Sequence, residues 1–286
     1  MSELVTGTRV FGKFEPERYL SQLTPFVENA AQFGRVIIVS QQSYENLVDL
    51  RQFAQQSSKP GEKIQVVLSD TIGAESPADM CNRIVLACAA LGFDYFAIVS
   101  GDLAEYIPER FPIMIDRLQS NHDISSIGVA IQGVHNLGLL DRVKQHGIAE
   151  VTLDNYATIF HNNAFAIHRL HPRAGETIVD VSDRLFPRVT DQGKLGSVTL
   201  DGQEVPIGGN EEIALALQLL KQNIELDTLL LAGSHTIIRD PDKELSTIDA
   251  KILRRPAVAK AYQQHYNITD GEISAYLQSH YRISFS

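Results

Sequence analysis

Asp102 follows an apolar run, Tyr95 to Ser100 (YFAIVS), with only Gly101 between them. A carboxylate at the end of a buried strand can hold a hard divalent cation against a diphosphate. Magnesium commonly takes one or two carboxylates and fills its remaining positions with phosphate oxygens. Asp after Gly is also ordinary turn chemistry, and the local sequence leaves both roles open. Other polar residues end similar runs: Thr8 and Arg9 in Leu4 to Phe11, Ser40 in Arg35 to Ser40 (RVIIVS), and Asp70 after Ile64 to Ser69 (IQVVLS). Glu211 and Glu212 follow Gly208-Gly209-Asn210 and suit the first turn of a helix, where the macrodipole favours acids. His161, His168 and His171 suggest a metal cluster, but His161 and His168 lie seven apart across an expected strand and point to opposite faces. Cys81 and Cys88 are about 10 Å apart by helix rise, too far for a disulfide, and read as buried thiols of a reducing compartment.

The elements that must position these groups alternate regularly through the first hundred residues. Compact apolar runs such as RVIIVS are typical of parallel strands buried on both faces. Between them lie helical patterns: Tyr19 to Ala30, closed by Gly34; Tyr44 to Gln56; and a helix with Pro77 at its first position and Gly92 at its end. The βαβαβαβ order predicts an α/β fold, a mostly parallel twisted sheet with helices on both faces. In such sheets ligands gather at the carboxyl ends of the strands, where the residues named above fall. Further strands are expected over Ile124 to Gln132 and Ala164 to His168. A hairpin is expected around Asp201-Gly202, flanked by Ser197 to Leu200 and Gln203 to Pro206. A helix is expected from Glu211. The last fifty residues read as helical, with Thr269 and Glu272 at capping-box spacing.

Composition excludes several classes. The 286 residues are 44% hydrophobic, enough for a substantial core and too many for a disordered chain. The net charge is −10 and no Lys/Arg-rich block exists, which argues against nucleic acid as a partner. No apolar run reaches the roughly 18 residues of a transmembrane segment, and no signal peptide is visible, so a cytoplasmic location is expected.

In order and spacing, these segments resemble the GT-A glycosyltransferases, which transfer sugars from nucleotide-diphospho-sugars; the inverting, family-two-like members are the nearest match. The resemblance spans residues 4–235. Ala78 to Asn82 is similar to the family's pattern on the helix before the metal strand. Ser100-Gly101-Asp102 stands at its Asp-x-Asp motif, and His161 to Arg169 (HNNAFAIHR) resembles an acceptor-side strand ending in a basic residue. Gly208-Gly209-Asn210-Glu211-Glu212 resembles its Gly-Gly-x-Glu-Asp segment. The resemblance implies a divalent cation, manganese or magnesium, on Asp102 with His235 as a further ligand. It implies Glu212, or else Glu211, as general base, and Thr8, Arg9, Ser40, Asp70 and Asn82 along the nucleotide crevice. Ser100 replaces the first acid of the motif, so the cation would depend on the donor's own phosphates. Ser40 or Gln41 replaces the family's uracil-contacting Asp.

The implied organisation is a nucleotide-sugar half over 1–103, an acceptor half of the same domain over 104–235, and a helical extension over 236–286. The implied reaction transfers a sugar to an acceptor hydroxyl with inversion; these residues name neither sugar, base, acceptor nor oligomeric state. Gly7-Thr8-Arg9 and Gly101-Asp102 also resemble fragments of sugar-phosphate nucleotidyltransferases, although the first loop lacks the remaining glycines. A non-catalytic nucleotide-sugar-binding protein of the same fold is the third alternative.

Overall fold

The structure, a computed structural model, describes residues 4–10, 16–40, 44–57, 64–68, 77–132, 139–148, 151, 165–186, 197–200, 202–206, 217, 220–221, 228–232, 237–238 and 256–285. The chain divides into two compact units, Met1–Ile127 with Asn162–Phe186, and Gly128–His161 with Pro187–Ser286.

The first unit is built on strands β1 (Leu4–Val10), β2 (Gly34–Ser40), β3 (Ile64–Leu68) and β4 (Tyr95–Val99). β1 pairs in parallel with β2 and with β4, and β2 pairs in parallel with β3. Val36 to Val39 and Phe96 to Val99 are fully buried, as expected of strands covered on both faces. Helices α1 (Pro16–Ala30), α2 (Tyr44–Gln56) and α3 (Pro77–Ala90) connect these strands in turn, and α4 (Ile107–Ser120) follows β4. Gly7 of β1 faces Ile84 of α3, while Thr8, the next residue, faces the side of the sheet that carries Gln22 of α1. Helices therefore cover both faces of the parallel sheet, and the α/β expectation holds.

Beyond α4 the expected strand Ile124 to Gln132 forms as two, β5 (Ser126–Val129) and β6 (Ile131–Gln132). Between them Ala130 donates its N–H to Leu231 O at 2.9 Å. After α5 (Leu139–His146), β7 (Phe165–Arg169) runs antiparallel to β4, with Phe165 opposite Val99 and Arg169 opposite Tyr95. The helix α6 (Ile178–Leu185) starts with a capping box between Thr177 and Asp180. Just before it, Glu176 grips Arg184 through two contacts, at 2.9 and 3.0 Å, and accepts the Arg173 N–H at 2.8 Å.

In the second unit the expected hairpin forms, with β8 (Ser197–Leu200) antiparallel to β9 (Gln203–Pro206) and Gly202 at φ 78°. The strand β10 (Thr228–Ala232) and the short β11 (Ile237–Ile238) follow. Residues 256–266 are helical, and the helix Asp270–His280 carries the expected capping box of Thr269 and Glu272. The end of the chain differs from the helical expectation. Tyr281–Phe285 is a strand, β12, parallel to β10. It follows His280 with no intervening turn residue, so nothing local marks the change from helix to strand.

Two expected outcomes test these placements. Gly34 has φ 154°, and a Cβ there would lie 2.1 Å from Leu4 O, whereas Gly92, at φ 74°, faces open space. Gly34→Ala should therefore cost about 2–3 kcal/mol in urea unfolding, and Gly92→Ala only about 1. The hydrogen bond from Arg184 holds the Glu176 carboxyl below its ordinary value, with the Arg173 N–H adding to the effect. A depressed carboxyl pKa contributes stability above the ordinary carboxylate range and loses it as pH falls through the lower, folded value. Glu176→Gln should flatten that acid limb in thermal midpoints measured against pH.

Candidate active site at the carboxyl edge of the first sheet

Because β1 to β4 are parallel, their carboxyl ends share one edge. Ser40 closes β2 there, opposite Val10, and is fully buried. β4 gives way at the same edge to Ser100 and a 3₁₀ turn, Gly101–Tyr106. The Leu103 N–H donates to Ser100 O at 2.9 Å and closes the turn. Leu103 and Ala104 are buried and Asp102 is exposed, so the turn anchors its apolar side and presents its carboxylate to solvent.

Thr8 lies one residue beyond the Gly7–Ile98 pair of β1 and β4. Its side chain is 1% exposed, and its Oγ1 has no hydrogen-bond partner. A Cβ placed on Gly101 would stand 3.9 Å from that hydroxyl, 3.7 Å from Gln22 Oε1 and 3.4 Å from Gln22 Cβ. These are ordinary contact distances, so packing does not require glycine at position 101. The Thr8 hydroxyl and the Gln22 amide therefore lie directly behind Gly101, next in sequence to Asp102. Buried hydroxyls are rarely left unsatisfied, and Thr8 shares this state with Thr6, Ser126 and Ser182.

The other expected crevice residues separate. Arg9 lies on the opposite face of β1 from Thr8, as the strand's alternation requires, and its Nη1 donates to Cys81 Sγ of α3 at 3.5 Å. Burial pushes the Cys81 thiol pKa up despite that neighbour, and it pushes Cys88 to about 12. Both cysteines are free and buried, as structural thiols should be. Asn82 is 2% exposed and donates to Phe186 O at 3.1 Å, tying α3 to the end of α6 rather than lining an open crevice. Asp70, Glu211, Glu212 and His235 lie outside the described residues.

Arg169 does not reach this edge. β7 is antiparallel to β4, so its last residue falls at the amino end of the parallel strands. There its guanidinium donates to Leu118 O and Asn121 O at the end of α4, contacts His122 Nδ1 at 3.2 Å and lies 5.7 Å from the Tyr95 ring centroid. Phe165, at the other end of β7, is the residue opposite Val99. His168 is buried and stacks on Phe96 with ring centroids 4.9 Å apart.

For a cation, Asp102 offers one exposed carboxylate. Among the described residues no cluster of three or more His, Cys, Asp or Glu could hold a metal. One carboxylate plus phosphate oxygens nevertheless satisfies a hard cation. The sequence reading missed Gln22 and Asn29 of α1. With Phe26 they fall at i, i+4 and i+7, one helical stripe, and Phe26 is fully buried. Two polar residues flanking a core phenylalanine on one stripe were the available signal. The second unit has its own cleft of about 540 Å³, lined by Lys221, Tyr266, Glu272, Tyr276, Ser279 and His280 among others, and it contains none of the expected site residues.

No protein-family model and no curated protein matches the chain. Among solved structures, it is similar to Mycobacterium tuberculosis glucosyl-3-phosphoglycerate synthase. The TM-score is 0.48 at 11% identity, over 94% of this chain and 82% of that one. The same enzyme in complex with Mn2+, UDP-glucose and phosphoglyceric acid gives a TM-score of 0.47 at 13% identity, over 94% and 81%. At these values the functional assignment rests on this chain's own residues. No helix among the described residues is long and apolar enough to cross a membrane.

The contrast between Asn82 and Asp102 is measurable without a ligand. Asn82→Ala removes a buried hydrogen bond and should cost about 1–3 kcal/mol in urea unfolding. Asp102→Ala, at an exposed position, should cost less than Asn82→Ala in the same measurement.

Proposed function

We propose that the chain is a glycosyltransferase that takes a sugar from a nucleotide-diphospho-sugar and transfers it to an acceptor hydroxyl. The observation that carries this reading is the conjunction at one sheet edge. Exposed Asp102 follows the fourth of four parallel strands, on a turn whose Gly101 packs in front of the unpartnered Thr8 hydroxyl. That edge is where open α/β sheets bind ligands, and a diphosphate with its cation suits its chemistry.

In this reading Asp102 holds a magnesium or manganese ion, and His235 is a candidate second ligand. When bound, the cation supplies charge that offsets the negative charge developing on the leaving diphosphate. Thr8 and Ser40 border the same edge. Asp70 is assigned to this crevice too. The acceptor oxygen forms a bond to the anomeric carbon as the bond from that carbon to the diphosphate oxygen breaks. A single displacement of this kind inverts the carbon. The acceptor's proton passes to the carboxylate of Glu212, or else Glu211.

A non-catalytic nucleotide-sugar-binding role is favoured by one observation: Ser100 occupies the place of the motif's first acid. A transfer assay with the binding donor separates the two.

The direct test is a thermal-shift panel of UDP-, GDP-, ADP- and CDP-sugars with and without manganese. A donor at a hundred times its Kd stabilises the fold by about 2.7 kcal/mol, and the manganese-dependent part should vanish in Asp102→Ala. A response to nucleoside triphosphates with sugar phosphates, and none to the nucleotide sugars, would instead identify a nucleotidyltransferase. Glu212→Gln should keep donor binding and slow transfer by roughly a hundredfold or more. Full turnover in both Glu212→Gln and Glu211→Gln would remove the acids from the mechanism.

A further inference from the structure

The 3₁₀ turn that presents Asp102 is weakly held by its own residues. Six residues of 3₁₀ helix have poorer hydrogen-bond geometry than an α-helix, and Ser100 at its N-cap makes no side-chain hydrogen bond to it. The turn is fastened from outside, by α1. Asn29 Nδ2 donates to Ala104 O at 3.0 Å across 75 residues of sequence. That carbonyl also accepts the Ile107 N–H, so it joins the turn to the first residue of α4. Seven residues earlier on the same stripe of α1, Gln22 stands over Gly101. The helix thus touches the turn on both sides of Asp102.

We propose that Asn29 is a positioning residue for Asp102: its amide fixes Ala104 and so holds the carboxylate where it can meet a cation bound to a nucleoside diphosphate. This inference rests on the reading of Asp102 as a cation ligand. Without the Asn29 amide, Ala104 O keeps only its local partner, and the turn loses its hydrogen bond to α1 and with it part of its fixed orientation. The Asp102 carboxylate would then meet the cation in a less favourable geometry. Asn29 makes no contact with the ligand itself and acts only through the turn.

A double-mutant cycle tests this. Calorimetric affinity for UDP, GDP, ADP and CDP, each with manganese, is measured for the parent, Asn29→Ala, Asp102→Ala and the double variant, with thermal midpoints recorded alongside. Asn29→Ala is expected to weaken the manganese-dependent affinity about tenfold in the parent and to change nothing further in the Asp102→Ala background. Asn29→Asp, which keeps the shape but replaces the donor with a carboxylate facing Ala104 O, should lose at least as much. Retained affinity in Asn29→Asp would assign any loss in Asn29→Ala to packing and overturn the proposal. Additive losses, or no loss in Asn29→Ala at an unchanged midpoint, would also overturn it. If Asp102→Ala itself leaves manganese-dependent binding intact, the fault lies in the cation site, and the inference falls with it.

Discussion

Strand β1 hydrogen-bonds in parallel to β2 on one side and to β4 on the other, and the candidate site exists because of this double pairing. Parallel neighbours bring their carboxyl ends to the same edge, so residues thirty to ninety positions apart in sequence finish beside one another. The pairing also puts Thr8 one step past Ile98, level with the point where β4 becomes the Ser100-Gly101-Asp102 turn. It requires close approach at the other end, where Gly34 leaves no room for a Cβ against Leu4 O. A slip of one residue in β1 would exchange Thr8 for Arg9 behind Gly101. A buried guanidinium would then occupy the place where a small hydroxyl now faces Gly101.

The two faces of this sheet do different things. On the α3 side the polar groups are spent on holding the fold: Arg9 reaches Cys81, and Asn82 reaches the carbonyl of Phe186, whose ring packs against His168 and Phe96. On the α1 side Asn29 and Gln22 reach the turn after β4, and the Thr8 hydroxyl, like that of Thr6 on the same face and Asn82 Oδ1 on the other, has no hydrogen-bond partner. Phe111 of α4 packs against Phe33 and Phe165, which anchors the helix that continues from the turn. The Asp102 carboxylate is therefore exposed, but on a turn whose other side is embedded in a rigid core.

Much of this was legible in the sequence, and the failures have a common cause. Apolar runs such as RVIIVS and YFAIVS, the glycine at 92, the Asp201-Gly202 turn and the Thr269–Glu272 box are local signals, and each marked the expected element; Gly34, read as the cap of α1, instead opens β2, where the close approach of Leu4 requires it. Strand direction is not local. The run ending in Arg169 reads the same whether it lies parallel or antiparallel to β4, and only the pairing sends that arginine to the wrong edge for a site role. Nor does alternation along β1 say which face carries the turn after β4, so Thr8 and Arg9 were placed together. β12 was hidden because a helix passes into it without a turn residue. The stripe of Gln22, Phe26 and Asn29 marked Asn29 as inward-facing, but its partner, a backbone carbonyl 75 residues away, carries no sequence signal. Asp70, Glu211, Glu212 and His235 lie outside the described residues, and their roles stand as proposals.

The central claim is that Asp102, at the carboxyl edge of the parallel strands, receives a cation together with the diphosphate of a nucleotide. Diffraction from crystals soaked with manganese and a nucleoside diphosphate addresses it most directly, because the anomalous signal locates the metal independently of the nucleotide. The expected result is a manganese peak within coordination distance of the Asp102 carboxylate, bridging to the phosphates. A nucleotide bound elsewhere, such as the cleft lined by Lys221 and Tyr276, or a manganese ion distant from Asp102, would contradict the account.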